Sequence, residues 1–261
     1  MNRGLAVVTG ASSGIGWELG KQLAARGYDL LLVARREERL RQLANEIHAR
    51  GGTRAEYLAL DLTLQAGRQF LAARMADARE RFSLLVNNAG FGAARAAVDL
   101  PAARALEMIT LNVSALTELS MEAAKILVSR QSGGIINVAS TAAFQAVPFM
   151  SVYGATKAYV LSFTEGLAEE LRDSGVRVMA LCPGYTETEF QRIAGESPER
   201  TRMRHMMSAA DCVRIGLSDF DAGRRISITG LRNRLQTFGA WLFPRSVVVR
   251  FAAAMVKSRI T

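Results

Sequence analysis

The chain has 261 residues, of which 49% are hydrophobic and 22% charged, an ordinary balance for a globular protein with a full core. That composition, with only Cys182 and Cys212, excludes a disulfide scaffold and a disordered chain; no metal site is expected, and a reduced, cytoplasmic compartment is the default. The net charge of +9 is almost all arginine spread along the chain, which predicts solvated helix faces and no nucleic-acid partner.

Short apolar, β-branched runs alternate with longer segments of helical period. In chain order the predicted strands are Leu5–Thr9, Leu30–Ala34, Ala55–Leu60, Leu84–Asn88, Ile135–Ala139, Val176–Leu181 and Arg225–Ile228. Between them lie predicted helices near 15–26, 37–50, 64–80, 101–130, 151–173 and 209–219. The strands read as continuous apolar runs, as burial on both faces requires. The expected fold is therefore an α/β domain over residues 1–261, a Rossmann-type doubly wound parallel sheet of about seven strands covered by helices.

Two stretches depart from the alternation. Residues 184–208 carry turn formers and charge without a strand, which predicts a lid or mobile loop; Met203, Met206 and Met207 fall there. Residues 231–257 read as two short amphipathic helices, the second opened by Pro244. Leu231, Leu235, Phe238, Trp241 and Leu242 form an apolar stripe, continued by Val247, Val248, Phe251 and Met255, with arginines on the other faces. Packing on the domain or on a partner subunit is expected there; peripheral membrane contact is the sharper alternative. No segment is long enough to span a membrane, and Leu5-Ala6-Val7-Val8 is too short for a signal-peptide core.

Thr9-Gly10-Ala11-Ser12-Ser13-Gly14-Ile15-Gly16 follows a predicted strand and opens a predicted helix. Glycines there allow a tight turn and close backbone approach to a pyrophosphate, which the helix N-terminus meets with free N–H groups and partial positive charge. Dinucleotide binding is expected of it. At the end of the second strand an NAD site normally carries a carboxylate, but Val33-Ala34-Arg35-Arg36 has none before Glu37. Arg35, with hydroxyls from Ser12 and Ser13, would instead suit a 2′-phosphate, so NADP(H) is expected over NAD(H).

The spacing T-G-x-x-x-G-x-G is similar to that of the short-chain dehydrogenase/reductase family, and later motifs strengthen the resemblance from about residue 4 to 230. Asn87-Asn88-Ala89-Gly90 resembles the family's N-N-A-G. Asp61-Leu62 resembles the acidic segment that contacts adenine. Ser140 with Tyr153-Gly154-Ala155-Thr156-Lys157 resembles the catalytic Ser and Y-x-x-x-K, and Pro183-Gly184, with Thr186 and Thr188 beyond, the segment that closes on the nicotinamide.

Tyr153 and Lys157 stand one helical turn apart, on one face. The resemblance implies Tyr153 as general acid in reduction and base in oxidation, Lys157 as its electrostatic tuner and ribose ligand, Ser140 on the substrate oxygen, and Asn112 holding a water that leads protons to Lys157. It implies an NADP(H)-dependent oxidoreductase acting on a ketone or aldehyde and its alcohol, the substrate fairly apolar. A homodimer or homotetramer paired through helices 101–130 and 151–173 is implied too. Two rivals are a nicotinamide-sensing module without turnover, which would not need Ser140, Tyr153 and Lys157 together, and a sugar epimerase or dehydratase, for which the chain is short. His48 and His205 lack metal-like partners, and Cys182 reads as a core hydrophobe.

Overall fold

The computed structural model describes residues 3–51, 53–197 and 206–260. Seven parallel strands form one sheet: β1 (Leu5–Thr9), β2 (Asp29–Ala34), β3 (Ala55–Ala59), β4 (Phe82–Asn87), β5 (Gly134–Val138), β6 (Arg177–Cys182) and β7 (Ile226–Ile228). Their spatial order is β3-β2-β1-β4-β5-β6-β7. The order reverses between β1 and β4, and the crevice at the carboxyl ends of those strands is where a doubly wound sheet offers a ligand site.

The helices are α1 (Gly14–Ala25), α2 (Glu37–Ala49), α3 (Gln65–Asp77), α4 (Ala102–Ile109), α5 (Leu116–Ser129), α6 (Ser151–Glu170), α7 (Phe190–Ala194), α8 (Ala209–Asp221), α9 (Leu231–Leu242) and α10 (Arg245–Ile260). Because side chains alternate along a strand, each apolar run serves two cores. Ala6, Val8, Leu30, Leu32, Leu84 and Val86 pack against Leu19, Leu23, Leu40, Leu43, Val213 and Leu217 of α1, α2 and α8. Leu5, Val7, Leu31, Val33 and Leu85 face the opposite way, onto Leu71, Met75, Leu119, Leu127 and Leu167 of α3, α5 and α6.

A buried polar cluster staples the second layer to the sheet. Asn87 Nδ2 donates to Asn137 Oδ1 at 3.0 Å and to Ser120 Oγ at 2.9 Å, and Asn137 Nδ2 donates to Thr164 Oγ1 at 3.1 Å. Thus β4, β5, α5 and α6 share one hydrogen-bonded knot in which each carboxamide has partners inside the protein.

The structure departs from the sequence expectations at three places. The helix expected over 101–130 is interrupted by a π-turn at Thr110–Ala115, between α4 and α5. The segment 184–208 is not all loop: it holds α7, and Thr186 forms a parallel bridge with Met207. Local turn formers hid a helix that is fastened by tertiary contacts, with Ala94 N–H donating to Ala194 O at 2.7 Å. Met203 and His205 lie outside the described residues. The amphipathic tail folds as α9 and α10 with Pro244 at the joint, but only part of its apolar stripe is covered. Leu231, Leu235, Phe238, Trp241 and Leu242 of α9 and Val247 and Phe251 of α10 stay exposed, Val248 and Met255 are half-buried, and α10 meets the domain through Ala252 and Val256, outside the stripe.

Candidate active site

A cleft of about 570 Å³ runs along the carboxyl ends of the strands, from the glycine loop past Asp61 and Asn88 to Tyr153. At its start the glycines are sterically obligatory. A Cβ on Gly16 would stand 2.2 Å from Gly10 O, and one on Gly10, at φ +67°, would stand 2.8 Å from Ala89 Cα. Asn88 Nδ2 holds the turn by donating to Thr9 O at 3.0 Å and Gly10 O at 3.2 Å, while Thr9 Oγ1 accepts the N–H groups of Asn88 and Ala89, both at 3.0 Å. Ser13, at the N-cap of α1, places no side-chain oxygen on the first-turn N–H groups, and that turn carries no acid. The helix end therefore presents donors and positive potential to the cleft, and these residues fit a dinucleotide pyrophosphate. Ser12, Gly14, Ile15, Asn88, Ala89 and Gly90 all line this part of the cleft.

The arginines after β2 divide in a way the sequence did not show. Arg35 lies 3.9 Å from Asp61 and 3.7 Å from Glu107. Arg36 turns to the glycine loop instead, its Nε donating to Ser12 Oγ at 3.1 Å and a terminal nitrogen to Glu189 at 2.8 Å. Arg39, in the first turn of α2, donates Nε to Ser12 O at 3.4 Å and stacks 4.7 Å from the Trp17 ring. Two guanidinium groups thus converge on Ser12, and the i, i+3 spacing of Arg36 and Arg39 at the start of a helix was the signal available in the sequence. Burial pushes the Asp61 carboxyl up, but hydrogen bonds from Thr63 and the charge of Arg35 bring it below the usual range. Leu62 beside it is buried.

At the far end of the cleft, Ser140 follows β5 and Tyr153 and Lys157 come from the first two turns of α6, which brings all three expected groups to one place. Ser140 Oγ accepts the Ala142 N–H at 3.1 Å, which holds its side chain at the mouth of the cleft. Burial pushes the Tyr153 phenol up to about 12; hydrogen bonding with Ser140 acts in the opposite direction, and the Glu196 carboxylate adds to the rise. Burial likewise pulls the Lys157 ammonium down to about 8, countered by the Cys182 thiol. Lys157 Nζ donates to Val138 O at 2.7 Å and lies 5.9 Å from the centre of the Tyr153 ring. In the protein alone, then, burial favours the protonated phenol over phenolate. Cys182, at the end of β6, is a buried thiol held above its usual range by burial, as suits a core residue.

Asn112 falls in the π-turn, where the wider coil turns its carboxamide to the strand-end loop. Its Oδ1 accepts the Phe91 N–H at 3.1 Å, and its Nδ2 donates to Phe91 O at 3.0 Å and Thr156 Oγ1 at 3.1 Å. The side chain is committed to positioning that loop against α6. Pro183, Gly184, Thr186 and Thr188 cover the cleft from β6 onward, where Gln191 Nε2 fastens Thr186 O at 2.8 Å.

Beyond Tyr153 the cleft is lined by Phe91, Val147, Met150, Phe190 and Ile193, with the charged Arg104 and Glu196 also on its wall. Arg104 stacks 3.8 Å from the Phe91 ring and pairs with Glu107 at 2.6 Å. Sequence reading missed a further wall: Ala252, Met255 and Val256 of α10 close this end of the cleft. His48 takes no part, its Nε2 accepting the Ala55 N–H at 3.1 Å. Among the described residues no cluster of potential ligands could hold a metal.

Residues 4–198 match the family model described as short chain dehydrogenase. Sulfoacetaldehyde reductase 2 of Chromohalobacter salexigens is 36% identical over 188 residues, which are 71% of this chain and 74% of that protein. A short-chain dehydrogenase from Sphingobium yanoikuyae, solved in complex with NADPH, is 35% identical, with a TM-score of 0.83 over 92% of this chain and 93% of that one. The bulky-bulky ketone specific alcohol dehydrogenase from Comamonas testosteroni is 30% identical, with a TM-score of 0.80 over 93% and 94% of the two chains. The glycine cradle, the half-buried Ser140 beside buried Tyr153 and Lys157, and these likenesses together place the chain in the short-chain dehydrogenase/reductase family of nicotinamide-dependent oxidoreductases.

Proposed function

We propose that this protein is an NADP(H)-dependent carbonyl reductase and alcohol dehydrogenase for a fairly apolar substrate, with Tyr153 as its acid and base. The observation that carries the reading is the buried Tyr153 side chain, grouped with Ser140 and Lys157 at the end of a cleft whose walls are largely apolar. When bound, the nicotinamide supplies the hydride and, once oxidised, a positive charge near the phenol. The chain's own residues do the rest. Ser140 and Tyr153 hydrogen-bond the carbonyl oxygen, and Tyr153 delivers the proton that a developing alkoxide needs. Lys157, an ammonium below about pH 8, favours phenolate and so lets the same group act as base in the reverse direction. Asn112 keeps the Phe91 loop against α6, and Phe91, Met150 and Phe190 exclude water.

NADP(H) preference rests on Arg36 and Arg39 at Ser12, since a 2′-phosphate would gain charge-assisted hydrogen bonds there that a ribose hydroxyl would not. The relative solved with NADPH supports that preference, and the relative specific for bulky ketones supports a roomy apolar pocket. Exposed Leu106, Met121 and Tyr159 on α4, α5 and α6 give a face for homo-oligomer formation. The two buried free thiols suit a reducing cytoplasm.

NADPH and NADH oxidation against a panel of ketones and aldehydes, with Tyr153→Phe alongside, tests the proposal. Turnover with NADPH that falls by about 10²-fold or more in the variant is expected, since a positioned proton donor contributes on that order. Tight NADPH binding without turnover on any carbonyl would favour a nicotinamide sensor. Failure to bind either nucleotide would remove the proposal altogether.

A further inference from the structure

The charge of the molecule is distributed less evenly than a reading of the arginines alone suggests. The last acidic residue is Asp221; residues 222–261 hold eight of the 33 lysines and arginines and none of the 24 acids. The first 221 residues are therefore close to neutral, and the excess resides in the segment that folds as β7, α9 and α10. Three of those arginines are neutralised by the domain beneath: Arg224 and Arg234 by Asp219, and Arg225 by Glu169. Arg232, Arg245 and Arg250 are exposed and, among the described residues, have no acidic partner.

Eight of the 17 large apolar side chains described as exposed lie on these two helices or their joint. On α9, Leu231, Leu235, Phe238 and Leu242 recur at i, i+4, i+7 and i+11 and form one outward line, with Trp241, 81% exposed, at its edge. Phe243 continues it across the joint, and Val247 and Phe251 extend it onto α10. Arg232 flanks the line on α9, and Arg250 sits beside Phe251. A contiguous patch of this kind marks an interaction site.

We propose that the outer face of α9 and α10 docks on an anionic lipid bilayer surface. Charge selects this occupant. A second copy docked by two-fold symmetry would bring Arg232, Arg245 and Arg250 toward the same unneutralised residues. A neutral protein groove would leave them unused. Anionic headgroups satisfy the guanidinium groups while Trp241, Phe238, Phe243 and Phe251 enter the headgroup and acyl boundary, the division of labour an interfacial amphipathic helix uses. The helices lie on the bilayer and do not cross it; no described helix is long and apolar enough to do so. One consequence rests on the catalytic reading above: α10 also walls the cleft with Ala252, Met255 and Val256, so a lipid-dissolved carbonyl would enter beside the docked surface.

Flotation of the whole protein with phosphatidylcholine vesicles, with and without phosphatidylserine, tests the docking without any use of turnover. The expected result is flotation with the anionic vesicles, loss of it at high salt, and a blue shift of Trp241 emission. Arg232→Gln with Arg250→Gln lowers the partition on the order of 20-fold, from about five-fold per basic residue at an anionic surface. Trp241→Ser with Phe251→Ser lowers it too, while melting temperature and NADPH binding stay at wild-type values. Equal binding to neutral and anionic vesicles, or none to either, overturns the proposal. So does loss of an oligomer in Trp241→Ser with Phe251→Ser while vesicle binding is unchanged, which would assign the face to a second copy.

Discussion

At the scale of single residues, the site is governed by what burial does to two ionisable groups. Burial raises the Tyr153 phenol to about 12, so difference titration of wild type against Tyr153→Phe in the cofactor-free protein should show a phenol ionising well above 10. A difference centred at or below 10 would mean that Lys157 already outweighs burial. Lys157 moves the other way, from 10.5 to about 8, so across that window the unfolded chain binds more protons than the folded one. Stability contributed at this site therefore rises with pH from about 8 to 10.5, and wild type should gain on Lys157→Met in urea unfolding over that range. Arg36→Ala and Arg39→Ala should each raise KM for NADPH about 10-fold or more, the worth of one charge-assisted hydrogen bond, and leave KM for NADH nearly unchanged. If Arg35→Ala alone has that effect, the phosphate lies on the Asp61 side.

Among elements, the joints between strand ends and helices do most of the positioning. Gly16→Ala should abolish nucleotide binding, because a Cβ 2.2 Å from Gly10 O forces the loop open and moves the start of α1. Isothermal titration with NADPH measures this directly, and a circular dichroism spectrum separates it from unfolding. The knot of Asn87, Ser120, Asn137 and Thr164 does its work deeper in the sheet. Asn137→Ala leaves Asn87 and Thr164 short of partners and should cost about 1–3 kcal/mol of stability by denaturant unfolding, more than an exposed asparagine would. The π-turn belongs to this scale as well. It inserts one residue's worth of coil between α4 and α5, and that turns Asn112 onto Phe91 while Ala115, Leu119 and Leu127 still meet the sheet.

For the whole molecule, the cleft is closed by segments far apart in the chain. Phe91 follows β4, Met150 precedes α6, Phe190 begins α7, and Met255 and Val256 come from the last helix. Val256→Trp, a large side chain in place of one 3% exposed at the cleft wall, should raise KM for bulky ketones by about 10-fold or more. Acetone-sized substrates and NADPH binding should be spared. If bulky and small ketones suffer alike, α10 acts on overall stability and not on the substrate pocket.

Strands, helices, the glycine loop and the Tyr153–Lys157 pair were all legible in the sequence, because each depends on spacing within a few residues. Apolar runs mark buried strands, and i, i+4 marks one helix face. The doubly wound topology followed from strand–helix alternation and crossover handedness. What the sequence could not carry was any contact between segments distant in the chain. Arg36 and Arg35 are neighbours with the same side chain, and only the packing of α2 against the loop sends one to Ser12 and the other to Asp61. Asn87 and Asn137 look alike among other asparagines until the sheet sets their strands side by side. The outer stripe of α9 and the inner wall of α10 are both built of apolar side chains, and the sequence cannot say which of them meets the domain. Burial made that choice, and with it the phenol's protonation state, since both depend on solvent excluded by the folded whole.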